Sequence, residues 1–134
     1  MNVYVFGNED VNEDKLAMEV AKKLVVDFGG QIKFEFVKPN ADLPFENSED
    51  VVILDVIAGL DFSKVLSDME LNHLSLSPRN SAHDFDLGLQ LKYLKKLGRL
   101  GKVTIVGLPM SPEVDYSSVH SIFKKLVAQD MHGS

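Results

Sequence analysis

The segment that most constrains the fold of this chain is the run Val-Val-Ile-Leu-Asp-Val at residues 51–56. Its apolar side chains follow one another without polar alternation and most are β-branched, which is typical of a strand covered on both faces. Strands of this kind occur in parallel sheets that carry helices on their faces. The run therefore predicts a central strand. Its one polar residue, Asp55, requires a partner or a cleft, because burying an unpaired carboxylate is costly.

Other segments predict further strands around this one. Residues 3–6 form a short apolar run that ends in Gly-Asn, and residues 103–106 form a second buried run that ends in Gly-Leu-Pro. Residues 32–36 alternate apolar and charged side chains, which indicates a half-exposed strand near a sheet edge. Residues 57–77 are ambiguous, and the leucines at their end would fit an irregular strand (Leu71, Leu74 and Leu76).

Helical periodicity lies between these runs. Apolar residues recur at three- and four-residue spacing over residues 14–28, which two glycines end, and again over residues 87–98. A last helix follows Asp115 or Ser117, either of which can cap its N-terminus. Alternating strands and helices predict an α/β fold, a three-layer sandwich with a mostly parallel central sheet flanked by helices. The 134 residues predict one domain at 1–130 and a frayed tail at 131–134.

Composition excludes several classes of function. The chain has no cysteine, so it has neither disulfides nor a thiolate nucleophile or metal ligand. No apolar run approaches the ~20 residues of a membrane span, and we expect a cytoplasmic protein that binds no membrane. The net charge is −6. One basic cluster on a predicted helix fits a solvated helix face, so no nucleic-acid partner is expected (Lys92, Lys95, Lys96 and Arg99).

Polar groups collect where the predicted strands end or where a helix begins. These are the acidic stretch that ends in Asp14, the carboxylate of Asp55, and His83 before the leucine-rich helix. Two carboxylates and one imidazole suit a borderline divalent metal such as nickel or zinc. Each residue also has a structural explanation, because acids stabilise a first helical turn and Asp or His can cap a turn. Neither a Gly-x-Ser-x-Gly nor a G-x-G-x-x-G motif occurs.

Taken in order, four motifs resemble the hydrogenase maturation endopeptidases over residues 1–128. They are Gly-Asn with the following acids and helix, residues 51–55, Ser-Ala-His-Asp-Phe at 81–85, and Val-Thr-Ile-Val-Gly-Leu-Pro at 103–109. The resemblance implies a protease that trims the C-terminal extension of the nickel-iron hydrogenase large-subunit precursor. It also implies that Asp14, Asp55 and His83 bind nickel, with Asp14 and Asp55 as the catalytic, aspartic-type residues.

In this family, nickel is thought to be carried by the immature partner and to mark it for cleavage; zinc or cadmium could replace it in crystals. The chain departs from the family pattern at residues 37–42, where Val-Lys-Pro-Asn-Ala-Asp replaces a loop of Asp-Gly-Gly type that contacts the substrate. The departure leaves the metal-binding triad better supported than the proteolysis. A non-catalytic maturation factor that binds the nickel site is therefore the alternative within the same fold.

An alternative from another class is a phosphoacceptor receiver domain, in which Glu9, Asp10 and Asp55 would hold Mg²⁺ and accept phosphate. The length and the acid pair after the first strand fit this class. A receiver requires a lysine before the proline that follows its last strand, and this chain has Leu108 before Pro109. The receiver hypothesis also leaves His83 without a role.

Overall fold

The computed structural model describes residues 1–6, 12–37, 50–57, 60–67, 96–99, 101–109 and 114–132, with the backbone alone at 12–14 and 131–132. These residues form five strands and two longer helices. In chain order the elements are β1 (Asn2–Phe6), α1 (Asn12–Phe28), β2 (Lys33–Val37), β3 (Asp50–Val56), β4 (Lys64–Ser67), β5 (Lys102–Leu108) and α2 (Tyr116–His132).

The five strands form one sheet in the order β2-β1-β3-β5-β4. The strands β2, β1, β3 and β5 are parallel, whereas β4 pairs antiparallel with β5 at one edge. The run at residues 51–56 is therefore the central strand, as its continuous apolar character predicts. The alternating run at residues 32–36 lies in the edge strand β2 except for its first residue, also as predicted. The α/β fold with a mostly parallel sheet is confirmed.

Both described helices pack on the same face of the sheet. Their apolar stripes contact the side chains of alternate strand residues, including Val5 of β1, Leu54 of β3 and Val106 of β5. The opposite face carries a second apolar cluster that includes Tyr4, Ile53 and Ile105. The helix that the sequence predicts at residues 87–98 lies outside the described residues except at its end.

The helix termini follow from local chemistry. Asp115 caps α2, because its carboxylate accepts hydrogen bonds from the backbone N–H of Ser117 (3.1 Å) and the hydroxyl of Ser118 (2.9 Å). Of the two candidates for this cap, Asp115 is thus the one that the structure uses. At the end of α1, the N–H groups of Gln31 and Ile32 both donate to the carbonyl of Phe28. This turn brings the chain directly into β2.

Residues 57–77 were the ambiguous part of the sequence, and they contain the antiparallel strand β4. The three leucines that suggested an irregular strand lie outside the described residues. Helix α2 continues through Met131 and His132, within the segment predicted as a tail. No helix in the part of the chain that the structure describes has the length and apolarity needed to cross a membrane.

Candidate functional site

The order of the strands places the topological switch point of the sheet beside Asp55. From β1 the chain passes to β2 on one side, and it later returns as β3 on the other side of β1. Adjacent connections that leave in opposite directions open a crevice outside the carboxyl ends of the strands, which is where α/β proteins bind ligands. Asp55 lies at the carboxyl end of β3, at this switch point.

Asp55 is buried, with 5% of its surface exposed, and it is the one buried charged residue in the described ranges. The backbone N–H of Val56 donates a hydrogen bond of 2.8 Å to Asp55 Oδ1. Hydrogen bonds of this kind orient a carboxylate and partly offset the cost of its burial. The sequence predicted that Asp55 would have a partner or a cleft, and the structure provides this partner.

The surroundings of Asp55 follow from the strand registers. Asp55 is paired with Gly107 of β5, and on the other side Leu54 is paired with Val5 of β1, so that Phe6 stands next to Asp55. Phe6 is 9% exposed and belongs to the apolar cluster on this face. Asp55 therefore has an aromatic residue on one neighbouring strand and a residue without a side chain on the other.

The side chains of the other two predicted ligands lie outside the described residues. Asp14 lies in the first turn of α1, the helix that follows β1, but its side chain lies outside the described residues, as does all of His83. No group of three metal-ligating side chains occurs among the residues that are described, a set that lacks both of these. The triad of Asp14, Asp55 and His83 stays a prediction.

A second polar cluster joins the two helices, and no sequence pattern indicates it. The hydroxyl of Tyr116 donates a 2.7 Å hydrogen bond to Asp27 Oδ2, and His120 Nε2 lies 3.8 Å from the same oxygen. The His120 ring packs against the Phe28 ring at a tilt of 38°, with centroids 4.9 Å apart. Partial burial, followed by the hydrogen bond to Asp27 and its negative charge, raises the pKa of Tyr116 to about 12. This cluster connects α1 to α2.

Comparison with solved structures identifies the fold. The chain is similar to the hydrogenase maturating endopeptidase HybD from Escherichia coli, with a TM-score of 0.67 and 19% identity over 99% of this chain and 94% of that one. It is also similar to another endopeptidase from Escherichia coli, known from a solution structure, with a TM-score of 0.61 and 17% identity over 96% and 89%. No protein-family model matches the sequence, and no curated protein does.

These similarities confirm the resemblance at the level of the fold, over nearly the whole of both chains. The topology also argues against the receiver hypothesis. Receiver domains have the flavodoxin-like strand order 2-1-3-4-5, whereas here the fourth strand lies outside the fifth and runs antiparallel to it.

Proposed function

We propose that this chain is an endopeptidase that removes the C-terminal extension of a nickel-iron hydrogenase large-subunit precursor. One observation carries the proposal. A buried carboxylate, Asp55, ends the central strand at the switch point of a sheet whose fold matches that of a hydrogenase maturating endopeptidase. A buried carboxylate at such a position is a candidate for binding a ligand or for catalysis, because an apolar residue would be less costly to bury.

The nickel in this proposal belongs to the substrate protein. Asp55, Asp14 and His83 would provide two carboxylates and one imidazole to it, a donor set that suits nickel and also zinc. The burial of Asp55 fits this use, since a cation would compensate the negative charge that the sheet excludes from water. The backbone of Asp14 supports it, because α1 begins after β1, the strand next to β3. A precursor without nickel would lack the ion that these three side chains bind. The metal would then be the mark by which the precursor is recognised.

For the chemistry, we propose that one of the two carboxylates, Asp14 or Asp55, acts as general base. It accepts a proton from a water molecule, the water oxygen attacks the scissile carbonyl carbon, and the C–N bond then breaks as the proton passes to the leaving amine. The chain has no cysteine, and no serine has the sequence context of a nucleophile. A direct attack by water is therefore the mechanism that its residues support.

A second candidate function is a maturation factor that binds the nickel site without cleaving the precursor. The observation that favours it is the segment at residues 37–42, which lacks the Asp-Gly-Gly loop expected of the proteases. This segment begins at the last residue of the edge strand β2, beside β1. Both candidates bind the metal-loaded precursor, but only the first one cleaves it.

The test is to incubate the purified protein with large-subunit precursor, loaded with nickel or free of it, and to follow the size of the precursor on a gel. We expect cleavage of the loaded form alone, and loss of that cleavage in Asp55→Asn. The exposed Asp50 begins the same strand, and Asp50→Asn provides the matched control. Equal cleavage of both forms would exclude recognition through nickel. Binding of the loaded precursor without cleavage would establish the second candidate.

A further inference from the structure

Gly107 of β5 has no space for a side chain. A Cβ built on this residue would lie 2.7 Å from Ile57 Cδ1 and 2.8 Å from Leu60 Cδ1. Both distances are shorter than any ordinary contact between carbon atoms, which is 3.5–4.0 Å. The two side chains therefore occupy the volume that the side chain of residue 107 would need. A glycine inside a strand often marks such a close approach.

This volume lies directly beside Asp55. Gly107 and Asp55 are paired across β5 and β3, so their side-chain positions are neighbours on the same face of the sheet. Ile57, two residues after Asp55, is buried in the apolar cluster of that face, and Leu60 packs against the same cluster. The N–H of Ile57 donates to the carbonyl of Leu108, which fixes the chain where it leaves β3.

We propose that Gly107 is a positioning residue for Asp55. Because Gly107 lacks a side chain, Ile57 and Leu60 can lie over β5 at this position and form an apolar wall against the carboxylate. The wall excludes water from the β5 side of Asp55 and keeps the carboxylate in the orientation that the Val56 N–H fixes. Interactions of the carboxylate are stronger where water is excluded. The inference rests on the proposed role of Asp55 as a metal ligand.

Replacing Gly107 by alanine separates this role from folding. The atoms that the new Cβ meets are the ends of two flexible side chains, so they can rotate away without moving the backbone. The wall would then move while the sheet stays intact. Ile57→Val removes the Cδ1 atom that lies nearest the new Cβ, and in the Gly107→Ala background it should let the wall return. Gly30 provides the matched control, because a Cβ there meets nothing within 4 Å.

The experiment measures two properties of Gly107→Ala, Gly30→Ala and the double variant with Ile57→Val. One is the Kd for Ni²⁺ by isothermal titration calorimetry, and the other is the amide proton shift of Val56 by NMR without metal. We expect Gly107→Ala to weaken Ni²⁺ binding about tenfold, the scale of a lost supporting contact around a ligand, and to move the Val56 resonance. Gly30→Ala should change neither, and the double variant should recover both in part.

Several outcomes would overturn the proposal. One is an unchanged Kd with an unmoved Val56 resonance in Gly107→Ala, and another is a double variant no closer to the wild type than Gly107→Ala alone. Should Gly107→Ala fail to fold, Ile57→Ala removes the wall without touching β5 and must produce the same two changes. If the wild-type protein binds no Ni²⁺, the proposed function loses its site, and the Val56 resonance still decides whether Gly107 positions Asp55.

Discussion

Asp55 of the central strand β3 is paired with Gly107 of β5, and the side chains of Ile57 and Leu60 fill the volume that a side chain at position 107 would occupy. The side-chain position next to Asp55 on β5 is therefore filled by two residues that follow Asp55 in the chain and not by a residue of β5 itself. The arrangement joins a charged group to the segment that follows it in the chain. Substitutions at Gly107 and Ile57 can therefore test how the surroundings of Asp55 affect it, while the carboxylate itself stays in place.

Asp55→Asn should preserve the fold and abolish Ni²⁺ binding. The amide has nearly the same shape, and its oxygen can still accept the N–H of Val56, but it no longer carries the negative charge that a cation requires. Thermal unfolding and calorimetric titration measure the two effects. Asp50→Asn should alter neither. A large fall in melting temperature with unchanged Ni²⁺ affinity would instead make Asp55 a structural cap.

Cleavage of the precursor should resist covalent inhibitors of serine and cysteine proteases. These reagents require a nucleophilic side chain, and the chain has no cysteine and no serine in a nucleophile motif. The measurement is the rate of precursor cleavage with and without the reagent, with trypsin as a positive control for inhibition. Stoichiometric inactivation, with the label found on one serine by mass spectrometry, would contradict the water-attack mechanism.

Two adjacent glycines after α1 should respond differently to alanine. A Cβ on Gly29 would lie 2.6 Å from the carbonyl oxygen of Val25, a backbone atom that cannot rotate away, whereas a Cβ on Gly30 meets nothing. We expect Gly29→Ala to lower the free energy of unfolding by about 1–3 kcal/mol. Gly30→Ala should raise it by about 0.5 kcal/mol, through the unfolded state. Denaturant unfolding measures both, and equal effects would refute the close contact at Gly29.

The cap of α2 provides a further pair of substitutions. Asp115→Ala removes the carboxylate that accepts hydrogen bonds from Ser117 and Ser118. It should lower the free energy of unfolding by about 1 kcal/mol. Ser117 is the other cap candidate in the sequence, and its alanine variant should stay within about 0.5 kcal/mol of the wild type. The reverse ranking in denaturant unfolding would place the cap at Ser117.

Tyr116→Phe should destabilise the protein by about 1 kcal/mol at neutral pH, because it removes a hydrogen bond between α1 and α2. The contribution should also depend on pH. The folded pKa of Tyr116 is about 12, above its ordinary value of 10.0, so the neutral hydroxyl is the form that the fold favours. Its stabilisation is complete below pH 10 and disappears as the pH rises toward 12.

The measurement is the free energy of unfolding of the wild type and of Tyr116→Phe at several pH values from 8 to 11.5. Their difference should shrink above pH 10. A matched comparison repeats the series in the Asp27→Asn background, where both the charge and its effect on the pKa of Tyr116 are absent. A difference that stays constant from pH 8 to 11.5 in the wild-type background would show that the fold does not raise the pKa of Tyr116.

The local pattern of the sequence was sufficient to predict the helices that bury one apolar stripe and the strands whose faces are buried or alternate. The central position of β3 follows from its unbroken apolar run, and the edge position of β2 follows from its alternation. Both predictions depend on side chains close in sequence, and the same is true of α1 and its glycine end. Asp55 was also identified from the local sequence, because a carboxylate inside an apolar strand is costly to bury without a partner.

Contacts between residues far apart in the chain were decided only by the tertiary structure. The antiparallel direction of β4 depends on its pairing with β5, and its four residues are too few to show a period. The bond between Asp27 and Tyr116 joins residues 89 positions apart. The glycine at position 107 was visible in the sequence as part of a strand ending. The reason for a glycine there was not visible, because the side chains that occupy the space beside it belong to Ile57 and Leu60. These residues follow β3 and reach β5 only when the sheet has formed.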